Sequence, residues 1–168
     1  MFKEISFKEI SNYKDPVSLF SEGCVAVVEN KEKANPITIG WGGLGTLWSK
    51  PMCTVFIHEV RYSKHMFDEA DTFSVCFFAP KYNPIAIKYF GTVSGRDEDK
   101  IKNSGLTLEH LENTPYLKEA ELVIICKKMG QTKFDVNHVP EERIKGWYQK
   151  DGVHSIYCGE IIKVLRKE

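Results

Sequence analysis

A mainly β fold with flanking helices, closed or nearly closed into a barrel, is the class this sequence predicts. Six apolar, β-branched runs recur along its 168 residues, each bounded by turn-forming residues. Many of them are apolar on both faces, as strands covered from two sides must be. Helical patterns are fewer and short.

In chain order, the opening "FKEISFKEIS" repeats five residues once. Two short copies do not make a solenoid, and residues 1–20 read as an N-terminal arm. "CVAVVEN" from Cys24 is a continuous apolar run. "NPITIGW" alternates Ile37, Ile39 and Trp41 against Thr38 and Gly40. "MCTVFIHEV", "TFSVCFF", "ELVIICKK" and "HSIYCGEIIKVL" complete the strand set. Tyr62–Ala70 reads as a short amphipathic helix. Asn83 as cap, Pro84 in the first turn and Gly91 at the exit mark a second. A third has Asp97 as cap and Gly105 as stop, and "VPEERIKGW" adds a turn before Trp147. The stretch Ser104–Pro115 carries no element signal and reads as loop. No low-complexity linker divides the chain, so residues 1–168 are expected to form one domain.

Composition narrows the function classes. Hydrophobic content is 42% and charged content 27%, as in soluble globular proteins. Basic and acidic residues number 23 each. That balance argues against a broad basic face for nucleic acid or an anionic membrane, yet allows a local pocket for one small anion. No signal-peptide core or bilayer-length apolar stretch is present, which makes the cytoplasm the expected compartment. The five cysteines form no C-x-x-C pair. Each lies in or beside an apolar run and reads as a small buried hydrophobe in a reducing compartment. The five histidines form no H-x-x-x-H pair, so no metal site is expected.

"GWGGLG" at Gly40–Gly45 fits G-x-G-x-x-G, the dinucleotide fingerprint, in letters alone. The fingerprint works only where a strand enters and a helix leaves, its N-terminus facing the pyrophosphate. Here Pro51 leaves barely one turn before the next strand, so no βαβ unit can form. Two readings of these glycines stay open. One is a tight hairpin with two core tryptophans, Trp41 and Trp48. The other is bared backbone that holds a flat, hydrogen-bonding ring.

Three blocks together weigh on that choice. "NPITIGWGGLGTLWSKP", "VRYSKHMF" and "GTVSGRDEDK" resemble, in order and with short spacings, the FMN-binding segments of the flavin reductase-like split-barrel proteins. The resemblance runs from about Cys24 to the C-terminal strand. It implies a six-stranded antiparallel split barrel, usually a homodimer, with FMN in a groove near the subunit interface. The proteins it resembles in pattern include the flavoredoxin type, so reductase and electron carrier both stay open.

By that resemblance Arg61 and Ser63 belong to a phosphate pocket, with the Tyr62 backbone N–H beside them. A guanidinium fork suits a phosphate monoester, which is close to doubly charged at neutral pH. Ser94 and Gly95 can turn backbone N–H groups toward an anion, and Lys100 would reach the phosphate or ribityl chain. Arg96 and Asp97 read as structural, with Asp97 orienting Arg96. Asn35 and Thr38 would meet the pyrimidine edge or ribityl hydroxyls. Trp41 offers an aromatic wall, and the Thr38–Gly43 backbone, including Gly40 and Gly42, offers ring-edge partners. Trp48 and Lys50 are weaker members. Glu59 departs from the pattern and must point away from the pocket or pair with a cation. His154 can reach a groove, with nothing further to mark it.

The expected activity is that of an FMN-dependent oxidoreductase accepting hydride from NADH or NADPH. The alternative is an electron-transfer flavoprotein that trades electrons with a redox partner protein. A module for haem or another planar ligand is a third reading, disfavoured by the Arg61, Ser63 and Lys100 set. No catalytic side chain is expected, because the cofactor carries the chemistry.

Overall fold

A computed structural model describes residues 1–148 and 152–168. Its strands are β1 (Phe2–Ile5), β2 (Cys24–Glu29), β3 (Ala34–Ile39), β4 (Gly42–Leu47), β5 (Lys50–His58), β6 (Thr72–Phe77), β7 (Leu108–Leu111), β8 (Thr114–Leu117), β9 (Leu122–Lys133) and β10 (His154–Lys167). Eight form one antiparallel sheet in the order β3-β2-β6-β9-β10-β5-β4, with β1 paired to the far end of β10. The long strand β10 makes this possible. Its first half pairs with β5, its last four residues pair with β1, and β9 runs along its other edge. β3 and β4 lie at opposite ends of this order yet are joined by Gly40 and Trp41 alone, so the sheet curls back on itself.

The two-faced apolar runs are explained by two cores. Cys24, Ala26 and Val28 of β2 point into the barrel, with Leu122, Ile124 and Cys126 of β9. Val25 and Val27, with Val123 and Ile125, face a second core on the outer side. That outer core is covered by Ala86, Phe90, Leu106 and Leu117. Both faces of these strands lose water, so neither can be polar.

Six strands were expected, and the sheet has eight. The N-terminal arm supplies β1, followed by a 3-10 turn at Phe7–Asn12. In that turn Ser6 and Glu9 make a reciprocal capping box. The stretch read as loop contains the β7–β8 hairpin, turned by Glu112 and Asn113, both at positive φ. The glycine segment forms β4, joined to β5 by a two-residue turn at Trp48 (φ 51°) and Ser49 (φ 60°). Such a turn matches the twist of the strands it joins. The hairpin reading was therefore right, but its tryptophans are not core: Trp41 is 37% exposed and Trp48 72%.

The helices are α1 (Ser63–Glu69), α2 (Phe90–Thr92), α3 (Lys100–Ser104) and α4 (Glu141–Trp147), with a π-helical turn, Pro84–Tyr89, leading into α2. Pro84 sits in the first turn as expected, but Asn83 makes no side-chain cap and Gly91 lies inside α2. Gly91 is needed there for proximity, since an added Cβ would lie 3.3 Å from Thr38. The cap of α3 is Asp99, which accepts from the Lys102 N–H, and not Asp97. Asp97 belongs instead to the preceding turn. Gly105 ends α3 at φ 72°. Four cysteines are buried, Cys158 is half-buried, and all are free thiols. Burial pushes the Cys76 thiol up to about 11, in keeping with inert packing. Among the described residues no helix is long and apolar enough to cross a membrane.

Candidate functional site

Two clefts meet at Ile37, Val60 and Arg61, which line both. The smaller, about 190 Å³, is walled by Arg61, Tyr62 and Ser63 at the start of α1 and by the backbone from Phe90 to Arg96. Its loop is tightly wound. The Ser94 carbonyl accepts from the Asp97 N–H and the Ser94 hydroxyl accepts from the Arg96 N–H, both at 3.1 Å. Gly95 presses against the barrel edge so closely that a Cβ would stand 2.1 Å from Asn35 Oδ1 and 3.0 Å from the Tyr62 ring. Asn35 is buried behind that loop, and its amide donates to Ser63 Oγ at 2.7 Å. The spacing of Asn35, Ser63 and Gly95 thus builds one wall from three separate elements.

Lys100 enters this cleft from α3 and is 3% exposed. Its ammonium donates to the Phe90 carbonyl at 3.2 Å. Desolvation, with Arg61 and Lys33 nearby, holds its pKa down to about 8. Arg96 and Lys33 flank the Tyr62 ring at 5.9 and 4.9 Å. Among the described residues none of Lys33, Arg61, Arg96 and Lys100 forms a salt bridge. The acids nearby form no salt bridge with these cations, although Glu98 acts on Lys100 as an opposite charge and partly opposes the lowering of its pKa. Glu98 accepts from the Tyr89 hydroxyl at 3.0 Å. Glu59 pairs with Lys133 at 2.7 Å, which lowers its pKa, and so points away from the cleft.

The larger cleft, about 570 Å³, is aromatic. It is bounded by the Thr38–Trp41 segment, Phe56 and His58 of β5, His154 of β10, and Lys145–Trp147 at the end of α4. Trp41 meets Trp147 edge-on at 4.9 Å and leans on His154 at 4.6 Å. His58 meets His154 edge-on at 4.8 Å. Burial, then the nearby His58 and Arg61, hold the His154 pKa down to about 4, so its ring is neutral at pH 7. His154 Nδ1 is the one buried side-chain polar atom without a partner among the described residues.

The residues named from sequence fall into three groups. Arg61, Tyr62, Ser63, Ser94, Gly95 and Lys100 converge on the smaller cleft. Thr38, Gly40 and Trp41 line the larger one, although the Thr38 hydroxyl is engaged with the Ala86 carbonyl at 2.6 Å. Asn35 and Gly42 line neither. Asn35 braces the smaller cleft from behind, and Gly42 lets β4 lie on Phe20 and the Thr54 carbonyl, each within 3 Å of where its Cβ would be. Trp48 and Lys50 sit at the hairpin tip, where Lys50 pairs with Glu160 at 2.7 Å. His58, Trp147 and Lys33 were not singled out. Nothing local marks the first two, and Lys33 reads as one charge among several in "ENKEKAN".

The fit to a flavin nucleotide follows from two features. Four cations without a salt bridge ask for an anion, and an aromatic cleft with an unpartnered imidazole nitrogen asks for a polar planar ring. Together the clefts are within the usual volume range of ligand sites, roughly 300–1,000 Å³.

The fold is similar to that of flavoredoxin from Methanosarcina acetivorans (TM-score 0.70, 23% identity, 87% of this chain and 68% of that one). It is also similar to an FMN-binding protein from Thermus thermophilus solved with p-hydroxybenzaldehyde (0.67, 20%, 87% and 71%). A third similar structure is an NADH:FAD oxidoreductase from Streptomyces globisporus in complex with NAD and FAD fragments (0.64, 17%, 86% and 74%). Comparison with curated proteins returns no match. These likenesses establish the split-barrel fold. The family model described as flavin reductase-like domain matches residues 18–168, and on that match the chain belongs to the flavin reductase-like family.

Proposed function

We propose that this protein binds FMN across the two clefts and acts as an oxidoreductase that takes electrons from a reduced nicotinamide. The observation that carries the reading is the juxtaposition of a cationic cleft whose charges form no salt bridge and an aromatic cleft that share Arg61. Arg61, Ser63 and Lys100 would hold the phosphate by charge-assisted hydrogen bonds, with the Tyr62, Ser94 and Gly95 backbone completing the cradle. Asn35 fixes the Ser63 hydroxyl from behind. Trp41 and the Thr38–Gly42 backbone would form one side of the ring site, with neutral His154 offering Nδ1 at its edge.

Bound flavin supplies hydride and one-electron chemistry. The chain's own part is alignment and exclusion of water. Trp147 and Lys145 on α4 line the aromatic cleft, and the edge-on and tilted contacts of Trp41 with Trp147 and His154 restrict which planar group enters. A stacked pair of reactants needs its reacting atoms about 3–3.5 Å apart, a spacing that aromatic walls enforce.

One feature favours a second reading, an electron carrier serving a redox partner protein. Trp147 already occupies part of the open face of the larger cleft, which leaves less room for a nicotinamide. In either case a homodimer follows the family pattern, and exposed Trp48 at the β4–β5 tip is a reasonable contact.

Anaerobic titration of the flavin-loaded protein with NADH and NADPH separates the two. Bleaching of the oxidised flavin band within seconds is the expected result. Bleaching that takes many minutes, beside fast exchange with a reduced redox protein, would replace the reductase reading with the carrier. A protein that takes up no flavin at all would remove both.

A further inference from the structure

Lys33 belongs to none of the blocks that mark the site in sequence, yet its side chain touches two residues that line the smaller cleft, Tyr62 and Gly95. It ends the β2–β3 turn, where Asn30 Oδ1 accepts from the Glu32 and Lys33 N–H groups at 3.1 and 3.2 Å. The turn is closed by the Asn30 N–H donating to the Lys33 carbonyl at 3.2 Å. From this fixed base the side chain crosses the Tyr62 ring, 4.9 Å from its centroid, and donates to the Gly95 carbonyl. Both of those residues line the cleft.

Its surroundings are those of a ligand group more than of a structural tie. An ammonium has three donors, and Lys33 spends one of them, on a neutral carbonyl. Lys33 acts on the buried Lys100 as a like charge, as Arg61 does. Glu98 offsets part of this repulsion at Lys100 without forming a salt bridge to any of the three. Holding such charges together destabilises the fold, and an anion placed among them offsets the rest of that cost. The glutamate at the other end of the turn cannot serve, since Glu29 is engaged with His110 at 2.8 Å. Gly95 is pinned by its contact with Asn35, so its carbonyl presents the Lys33 ammonium at one place on the rim.

We propose that Lys33 is a phosphate-selecting residue of the smaller cleft, contributed by the β2–β3 turn. There it distinguishes a flavin phosphate from the same flavin without one. The inference rests on the flavin-nucleotide reading above. Lys33 swings from the Gly95 carbonyl onto a phosphate oxygen, leaving its stem on Tyr62.

The test measures dissociation constants for FMN and riboflavin by fluorescence quenching, at low and high salt, with wild type, Lys33→Met and Lys33→Arg. Methionine keeps a flexible apolar stem and drops the charge. Lys33→Met should lose about tenfold for FMN, the scale of one charge-assisted hydrogen bond. It should change little for riboflavin, and its FMN affinity should depend less on salt. Lys33→Arg should restore most of the loss. A wild-type ratio of FMN to riboflavin affinity in Lys33→Met would overturn the proposal. Equal losses for both flavins, unrescued by arginine, would make Lys33 a prop for the loop and overturn it too. If wild type itself binds both flavins equally, the phosphate reading of the cleft fails first and the Lys33 role falls with it.

Discussion

The two clefts share a wall and are built on opposite plans. The smaller is a charge trap made of backbone. Its loop is wound by local hydrogen bonds, its glycine fits against Asn35, and its buried lysine is held without a salt bridge. The larger is a ring of side chains from β3, β5, α4 and β10, joined by edge-on and tilted aromatic contacts worth about 0.5–1.5 kcal/mol each beyond burial. The difference teaches where selectivity resides. Charge and preformed donors set what the small end accepts, while shape and neutral ring-edge partners set the large end, so the two should respond differently to substitution and to pH.

The largest separation is expected from Arg61→Ala. Removing the guanidinium should weaken FMN by about 10–100-fold, as loss of a charged hydrogen-bonded contact does. Riboflavin should change by less than about threefold on the same grounds. Equilibrium quenching titrations check this, and equal losses would break the division between the clefts. Next is Gly95→Ala, where the added Cβ has no room beside Asn35. Overpacking of this kind costs about 1–3 kcal/mol, measurable as a shift in the denaturant midpoint. Gly40→Ala is the matched control, with nothing within 4 Å of its Cβ position.

A pH series sharpens the contrast. Lys100 titrates near 8 in the folded protein. FMN affinity should therefore fall about tenfold from pH 7 to pH 9, because binding must then draw a proton onto the lysine. Riboflavin affinity should stay flat over that range, since His154 is already neutral above about pH 4. The folding linkage has the same sign at both groups. Each pKa is lower in the folded state, so the unfolded chain binds more protons between the two values. Stability without ligand rises with pH from about 8 toward 10.5 through Lys100, and falls on acidification from 6.5 to about 4 through His154. Denaturant melts at several pH values test both windows. The smallest effect is expected from Trp147→Ala, a loss of about 0.5–1.5 kcal/mol shared equally by FMN and riboflavin.

The same contrast explains what was legible in the sequence. Arg61–Ser63 and Ser94–Lys100 are contiguous segments whose chemistry is local, so they could be read directly. The double-faced runs at Cys24 and Leu122 announced a barrel covered on both sides. The aromatic cleft could be read only in part, through Trp41 and the Thr38–Gly40 segment, because His58 and His154 meet only when β5 and β10 pair and Trp147 comes from α4. Asn35 was recognised as a site residue, but its place behind Gly95 depends on how β3 packs against the loop. The β7–β8 hairpin was missed because its turn uses Glu112 and Asn113 at positive φ, with no glycine to signal it. Asp97 lost the α3 cap to Asp99 because the Ser94 turn had already claimed its backbone.

A crystal structure of the FMN complex tests the central claim most directly. The phosphate is predicted to sit among Arg61, Ser63 and Lys100, with the ring system in the cleft bounded by Trp41 and His154. Density for the phosphate in any other place, or a ring lying outside that aromatic cleft, would contradict it.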